Sequence, residues 1–268
     1  MKKLKALVIN SKGGVGKSTV AMQLLAPYIY EKWQTKALLV ELDDENDDAK
    51  AFAESAIIDV NKLQLSKGEL RNKLADLILG DRHTIFDIGA NKTSSETLKA
   101  LCDSGMIFAI NLIIIPLMDG EQDALNAATT YFYIRDIAKK VPIIFALNRH
   151  NTSRDIRSQF DNFLGDERGF FDEGGVIANF QTNDRLYITL ADSDVIKYAR
   201  KFGISVYELA KMNKDLEGEL KIAIETNKDI KEIKYLSFKL SLQNDAQTYL
   251  RDNLKDIFKT LDEVLFHE

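Results

Sequence analysis

Residues 9–19 read "INSKGGVGKST", and this stretch limits what the chain can fold into more than any other. Glycines at 13, 14 and 16 let the backbone turn its N–H groups inward with no Cβ in the way, and Gly16, Lys17 and Ser18 end the stretch as a phosphate-cradling P-loop ends. The surroundings agree. "KALVIN", from Lys5 to Asn10, is an apolar, β-branched run of strand length, and "STVAMQLLAPYIYEK" follows with the pattern of a helix that Pro27 should kink. That helix would point its positive end at a bound anion; Lys17 would reach the β- and γ-phosphates, and the Ser18 hydroxyl would hold Mg²⁺. The candidate nucleotide-binding set is therefore Ser11, Lys12, Gly13, Gly14, Val15, Gly16, Lys17, Ser18 and Thr19. One position departs from G-x-x-x-x-G-K-[ST]. Where the pattern opens on glycine this chain has Ser11, followed at once by a second lysine, Lys12.

Strand-like runs recur at Leu4 to Asn10, Ala37 to Leu42, Thr84 to Ile88, Leu112 to Ile115 and Ile143 to Leu147, with helical patterns between most of them. This alternation predicts an α/β fold, a doubly wound, mostly parallel sheet flanked by helices. "GGVIANF", Gly174 to Phe180, reads as one more strand. From about residue 213 to 268 the pattern turns charged and helical, with no proline, and is expected to pack on the same single domain. In such a sheet the ligand lies at the carboxyl ends of the strands. The run "HTIFDIG" ends in Asp87, placed to bind Mg²⁺ through water and to support Ser18. The Gly89 that follows leaves room for backbone near a terminal phosphate.

The variant loop "KGGVGKST" resembles the deviant Walker A box of the ParA/MinD family of ATPases, with the family's signature lysine falling on Lys12. The resemblance covers about residues 1–148 with recognisable motifs and is weaker to about 209. It implies ATP and Mg²⁺ as cofactors and an ATP-dependent homodimer. In it Lys12 crosses the interface to the phosphates held by the other subunit, as an arginine finger does, a contribution of about 10³ to 10⁵ in rate. It further implies that Asp43, in "ALLVELDDEND", positions the attacking water and stands near the metal; Glu41 falls on the preceding acid of the family's D-x-D. Asp44 and Glu45 replace the usual proline and glutamine, so Asp44 could carry the role instead. Asn148, closing "PIIFALNRH", falls where the family reads adenine through an amide with one donor and one acceptor. The implied activity is slow ATP hydrolysis, catalysed by Lys12, Lys17 and Asp43 and stimulated by a partner DNA-binding protein, for partition of a plasmid or chromosome. An accessory ATPase of conjugative transfer or polar cargo placement, or a nucleotide-gated binding module with little turnover, is the alternative.

A net charge of −5 argues against wholesale attraction to DNA or anionic lipid. Two local basic clusters, Arg149, Arg154 and Arg157, then Lys197, Arg200 and Lys201, are candidates for non-specific DNA contact. The single cysteine, Cys102, permits no intrachain disulfide, and the three histidines show no metal-ligand spacing, which fits a reducing cytoplasm. The run Met106 to Met118 is interrupted by Asn111 and Pro116 and is shorter than the roughly 20 residues of a membrane helix. The last helix has an apolar side, but its polar side mixes both signs of charge, so membrane attachment is not expected.

Overall fold

The computed structural model describes residues 3–42, 51, 52, 54–63, 67–90, 92–166 and 174–266. Asp43, Asp44 and Glu45 lie outside the described residues. Strand β1 (Lys5–Val8) leads through the glycine-rich loop into helix α1 (17–33). The chain continues through β2 (Ala37–Leu42), β3 (Ile58–Lys62), α2 (Lys67–Leu79), β4 (Thr84–Ile88), α3 (Lys92–Asp103), β5 (Leu112–Leu117), α4 (Glu121–Ile137) and β6 (Ile143–His150). It ends with β7 (Tyr187–Ala191), α5 (Asp194–Lys201), α6 (Val206–Ala210), α7 (Leu216–Glu225), α8 (Ile230–Tyr249) and α9 (Lys255–Phe266).

The seven strands form one sheet in the order β3-β2-β4-β1-β5-β6-β7, and every neighbouring pair is parallel. From β1 the chain crosses outward to β2 and β3, returns to β4, then builds β5, β6 and β7 on the other side. β1 therefore stands where the winding reverses, and the loop after it opens into the crevice that a doubly wound sheet offers a ligand. Alternation along β1 sends Ala6 and Val8 into one core layer and Leu7 and Ile9 into the other. The first layer also takes Met22, Leu25 and Ile29 from α1 and Tyr249, Leu254, Phe258 and Leu261 from the C-terminal helices. These helices are tied down by polar contacts as well: Tyr28 donates its hydroxyl to Asp262 at 2.8 Å, and Tyr249 donates to the Ala191 carbonyl at 3.2 Å.

One sequence expectation is corrected. "GGVIANF" is not a strand: Val176–Asn179 is a single 3₁₀ turn, with Gly175 at φ 56°. Its apolar residues plug the core rather than pair with a neighbour, Phe180 stacking on Phe145 at 5.0 Å between ring centroids. The edge positions go instead to β3 and β7, neither of which was expected. Pro27, expected to kink its helix, follows directly on a change of winding. Residues Val20–Leu25 form a π-helical stretch in which Ala26 N–H reaches back to Ala21 O, and Pro27 falls in the first turn of the α-helix beyond it. The wider winding stands where the ring of Pro27 and its missing N–H would disturb a regular α-turn. The remaining strands run longer or shorter than expected by a few residues; β5 continues through Pro116 and β6 through His150.

Candidate functional site

The loop begins on Asn10, which is fully buried. Its amide nitrogen donates to the Pro116 carbonyl at 2.8 Å and its oxygen accepts from Lys12 N–H at 2.9 Å, so one side chain fixes the entry of the loop to the end of β5. Ser11, in place of the usual glycine, turns its N–H toward Thr130 Oγ1 at 3.4 Å and its hydroxyl toward Asn126 at 3.5 Å, both on α4. Gly14 and Gly16 take φ values of 76° and 89°, the left-handed region that a side chain disfavours. A Cβ on Gly16 would lie 2.5 Å from Asn148 Nδ2, whereas one on Gly14 would meet nothing within 4 Å. Gly16 is thus a close approach to the protein, and Gly14 faces open space.

Lys17 opens α1 and is buried; its ammonium donates to the Lys12 carbonyl at 2.8 Å, across the concave side of the loop. Lys12 points elsewhere, its ammonium 2.5 Å from Asp123 in the first turn of α4. The Lys12 side chain is 37% exposed and that of Asp123 11%. Asp87, 4% exposed, pairs in register with Val8 of β1 on one side and Glu41 of β2 on the other, so two buried carboxylates stand side by side at the sheet's carboxyl edge. Among the described residues no group of three or more His, Cys, Asp or Glu side chains gathers as a metal cage. Mg²⁺ needs none, because it keeps several waters and takes one or two protein oxygens beside substrate phosphates.

A cavity of about 1050 Å³ lies along this loop, lined by Gly13, Gly14, Gly16, Lys17, Ser18 and Thr19. Its far wall comes from Asn148 and Arg149 at the end of β6 and from Asp192 to Asp194, Lys197, Arg200 and Lys201 after β7. Asn148 is 4% exposed and donates its amide to the Val15 carbonyl at 2.6 Å, while its Oδ1 has no donor among the described residues. One half of the amide expected to read a purine edge therefore braces the loop, and the acceptor half remains. Arg149 has φ 55° where β6 and β7 slip register. The expected basic clusters divide. Arg149, Lys197, Arg200 and Lys201 border the cavity; Arg154 and Arg157, both exposed, are not among its lining residues.

Sequence reasoning missed Asp123, Asn126 and Thr130, which reach the loop from more than a hundred residues away. Their spacing of three and four places them on one face of α4, and that polar stripe was the available signal.

A parallel sheet with a glycine-rich loop after its central strand, and a lysine opening the helix beyond, defines the P-loop class of nucleotide-binding α/β folds. Within that class the solved structures this chain is similar to are ATPases of the MinD/ParA kind. They include the MinD cell division protein of Aquifex aeolicus, 11% identical, with 78% of this chain and 90% of that one covered and a TM-score of 0.51. A candidate plasmid partition protein of Borrelia burgdorferi B31, bound to AMPPNP, is 16% identical over 90% of this chain and 98% of its own, with a TM-score of 0.50. A ParA family ATPase of Chlorobium tepidum TLS is 15% identical over 80% and 94%, also with a TM-score of 0.50. At these identities the likeness is one of fold. No protein-family model matches the chain, and no curated protein sequence matches it.

Proposed function

We propose that the chain is a Mg²⁺-dependent ATPase resembling ParA, which dimerises on ATP and uses slow hydrolysis to time the positioning of DNA or another large cargo. The observation that carries this reading is the division of labour between two lysines of one loop. Lys17 is turned into the cradle, where a phosphate would replace the Lys12 carbonyl as its partner. Lys12 is turned out of it onto Asp123. A cation on the loop that does not serve its own cradle is placed to serve a neighbour's.

The residues present fit ATP and Mg²⁺. Gly14 leaves open space on the loop, Ser18 lies in the first turn of the helix, Asp87 stands one strand away, and Asn148 Oδ1 is an acceptor suited to an adenine amino group. The AMPPNP held by the similar Borrelia protein supports the same choice of ligand. Bound Mg²⁺ would neutralise charge on the β- and γ-phosphates. Lys17 binds those phosphates, the Ser18 hydroxyl and Asp87 hold the metal and its waters, and Asp43 orients the attacking water. Lys12 touches the phosphates of the other subunit. DNA contact would come from the basic residues around Arg154 and Arg157, strengthened when dimerisation doubles them, and a partner DNA-binding protein would stimulate turnover.

Nucleotide binding tests the foundation. With ATP and Mg²⁺ at a hundredfold over the dissociation constant the native protein should gain about 2.7 kcal/mol of stability. Lys17→Ala should gain nothing measurable, and equal thermal shifts in the two proteins would remove the assignment. Phosphate release that stays at background with DNA present would favour a nucleotide-gated binding module over an enzyme.

A further inference from the structure

A second cavity, of about 860 Å³, opens at the other end of the sheet, where the strands begin. Its walls include Leu4 before β1, Ile110 before β5, Val141 and Pro142 before β6, Trp33 at the end of α1 and Leu265 of α9. The volume falls in the range of about 300–1,000 Å³ usual for small-molecule sites. The polar side chain set in the wall is already engaged: Asn111 accepts from Lys5 N–H at 2.6 Å and donates to the Lys3 carbonyl at 3.0 Å. The interior therefore offers an occupant mostly apolar contact, together with the buried indole N–H of Trp33, which has no partner among the described residues. At the lip Phe108 presents an apolar surface that is 72% exposed.

Charge is found at the mouth. Lys139 and Lys140 border the cavity and are exposed, and among the described residues neither has an ion-pair partner, whereas Lys3 pairs with Asp81 at 3.6 Å and Lys32 with Asp262 at 2.8 Å. The ordinary task of lysines just past a helix is to answer its last carbonyls and dipole. Neither lysine does so among the described residues, and the connection that carries them is held instead by Arg135, which donates to the carbonyls of Ala138, the capping residue, and Val141, beyond the helix, at 2.8 Å each. The two lysines are left with no internal role.

We propose that this cavity binds a single-chain amphiphile with an anionic head, of the fatty-acid kind. The chain lies among the apolar walls and the carboxylate meets Lys139 and Lys140. The site is separate from the P-loop and does not depend on the nucleotide reading.

The test uses the protein's own reporter, because Trp33 is its single tryptophan and lines this cavity. Trp33 emission is followed during titration with dodecanoate below its micelle concentration, and in parallel with dodecanol, which has the same chain and no charge. The expected result is a saturable change with dodecanoate. It should be weakened about tenfold in the Lys139→Gln/Lys140→Gln double variant, with dodecanol binding unchanged. Phe108→Glu, an exposed substitution that brings a like charge to the mouth, should weaken dodecanoate in the same direction. No saturable change, or equal dodecanoate affinity in wild type and double variant, overturns the proposal. Sedimentation with phosphatidylglycerol vesicles without any response to free dodecanoate overturns it in favour of a membrane surface.

Discussion

The Lys12 ammonium lies 2.5 Å from the Asp123 carboxylate, joining the glycine-rich loop to the first turn of α4 within one chain. Lys12 cannot keep this contact and also reach another subunit. In the proposed dimer this pair must open before Lys12 crosses, so its removal has a sign. Partly exposed pairs are worth about 1 kcal/mol or less. Asp123→Asn should thus lower the dissociation constant of the ATP-bound dimer by about threefold to tenfold, read by analytical ultracentrifugation. An unchanged constant would mean that the contact has no bearing on assembly.

Lys12 and Asp43 should fail in different ways. Lys12→Ala should still bind ATP in its own subunit but no longer reach across the interface, giving a nucleotide-bound monomer. Asp43→Ala should keep both interactions and lose the water, giving a dimer that persists in ATP. Size-exclusion chromatography in ATP separates the outcomes, and a monomeric Asp43→Ala would move the role to Asp44 or abolish it.

DNA binding should require ATP, ignore sequence and weaken steeply with salt, because affinity tracks the number of phosphates neutralised. Alanine at Arg149, Arg154, Arg157, Lys197, Arg200 and Lys201 together should flatten the salt slope by roughly one for each phosphate no longer neutralised. Since Lys197, Arg200 and Lys201 border the nucleotide cavity, Arg154→Ala/Arg157→Ala is the cleaner variant and should leave ATP affinity intact. Failure of the wild-type dimer to bind duplex at low salt would reject DNA as the cargo.

His83 gives the fold an acid limit. It is buried, stacks on Trp33 with ring centroids 4.1 Å apart, and accepts Leu4 N–H through Nδ1 at 3.1 Å. Burial, helped by the charges of Lys3 and Lys5, lowers its pKa to about 4. The unfolded chain takes up this proton near the ordinary value of 6.5 and the folded chain only near 4. The contribution is therefore complete above pH 6.5 and falls as the pH drops toward 4, by up to about 3 kcal/mol. Urea denaturation of wild type and His83→Gln across this window should show a shallower pH dependence in the variant; parallel curves would exclude His83 as the cause.

What could be read from the sequence follows from where each signal is written. β2 and β4 were legible because strands buried on both faces are continuous apolar runs. β3 was not: "IDVNK" lies at the sheet edge, half solvated, and alternates too weakly to stand out. "GGVIANF" misled because an apolar plug and a short buried strand have the same composition, and only the partners of Phe180 tell them apart. In the site, the residues of the loop were legible because their spacing is local. Asp123, Asn126 and Thr130 were not, because their role arises when α4 is laid against a loop distant in sequence. Asn148 was read as closing a strand that in fact runs on to His150, and its bond to Val15 depends on how close β6 brings it to Gly16.

Helix α1 begins at Lys17, on the floor of one cavity, and ends at Trp33, in the wall of the other. Over residues 17–33 it spans about 25 Å. Its winding departs from α at the π-helical stretch Val20–Leu25, nearer the Lys17 end. The wider winding of those six residues is where an axial displacement of Lys17 would be absorbed before it reached Trp33.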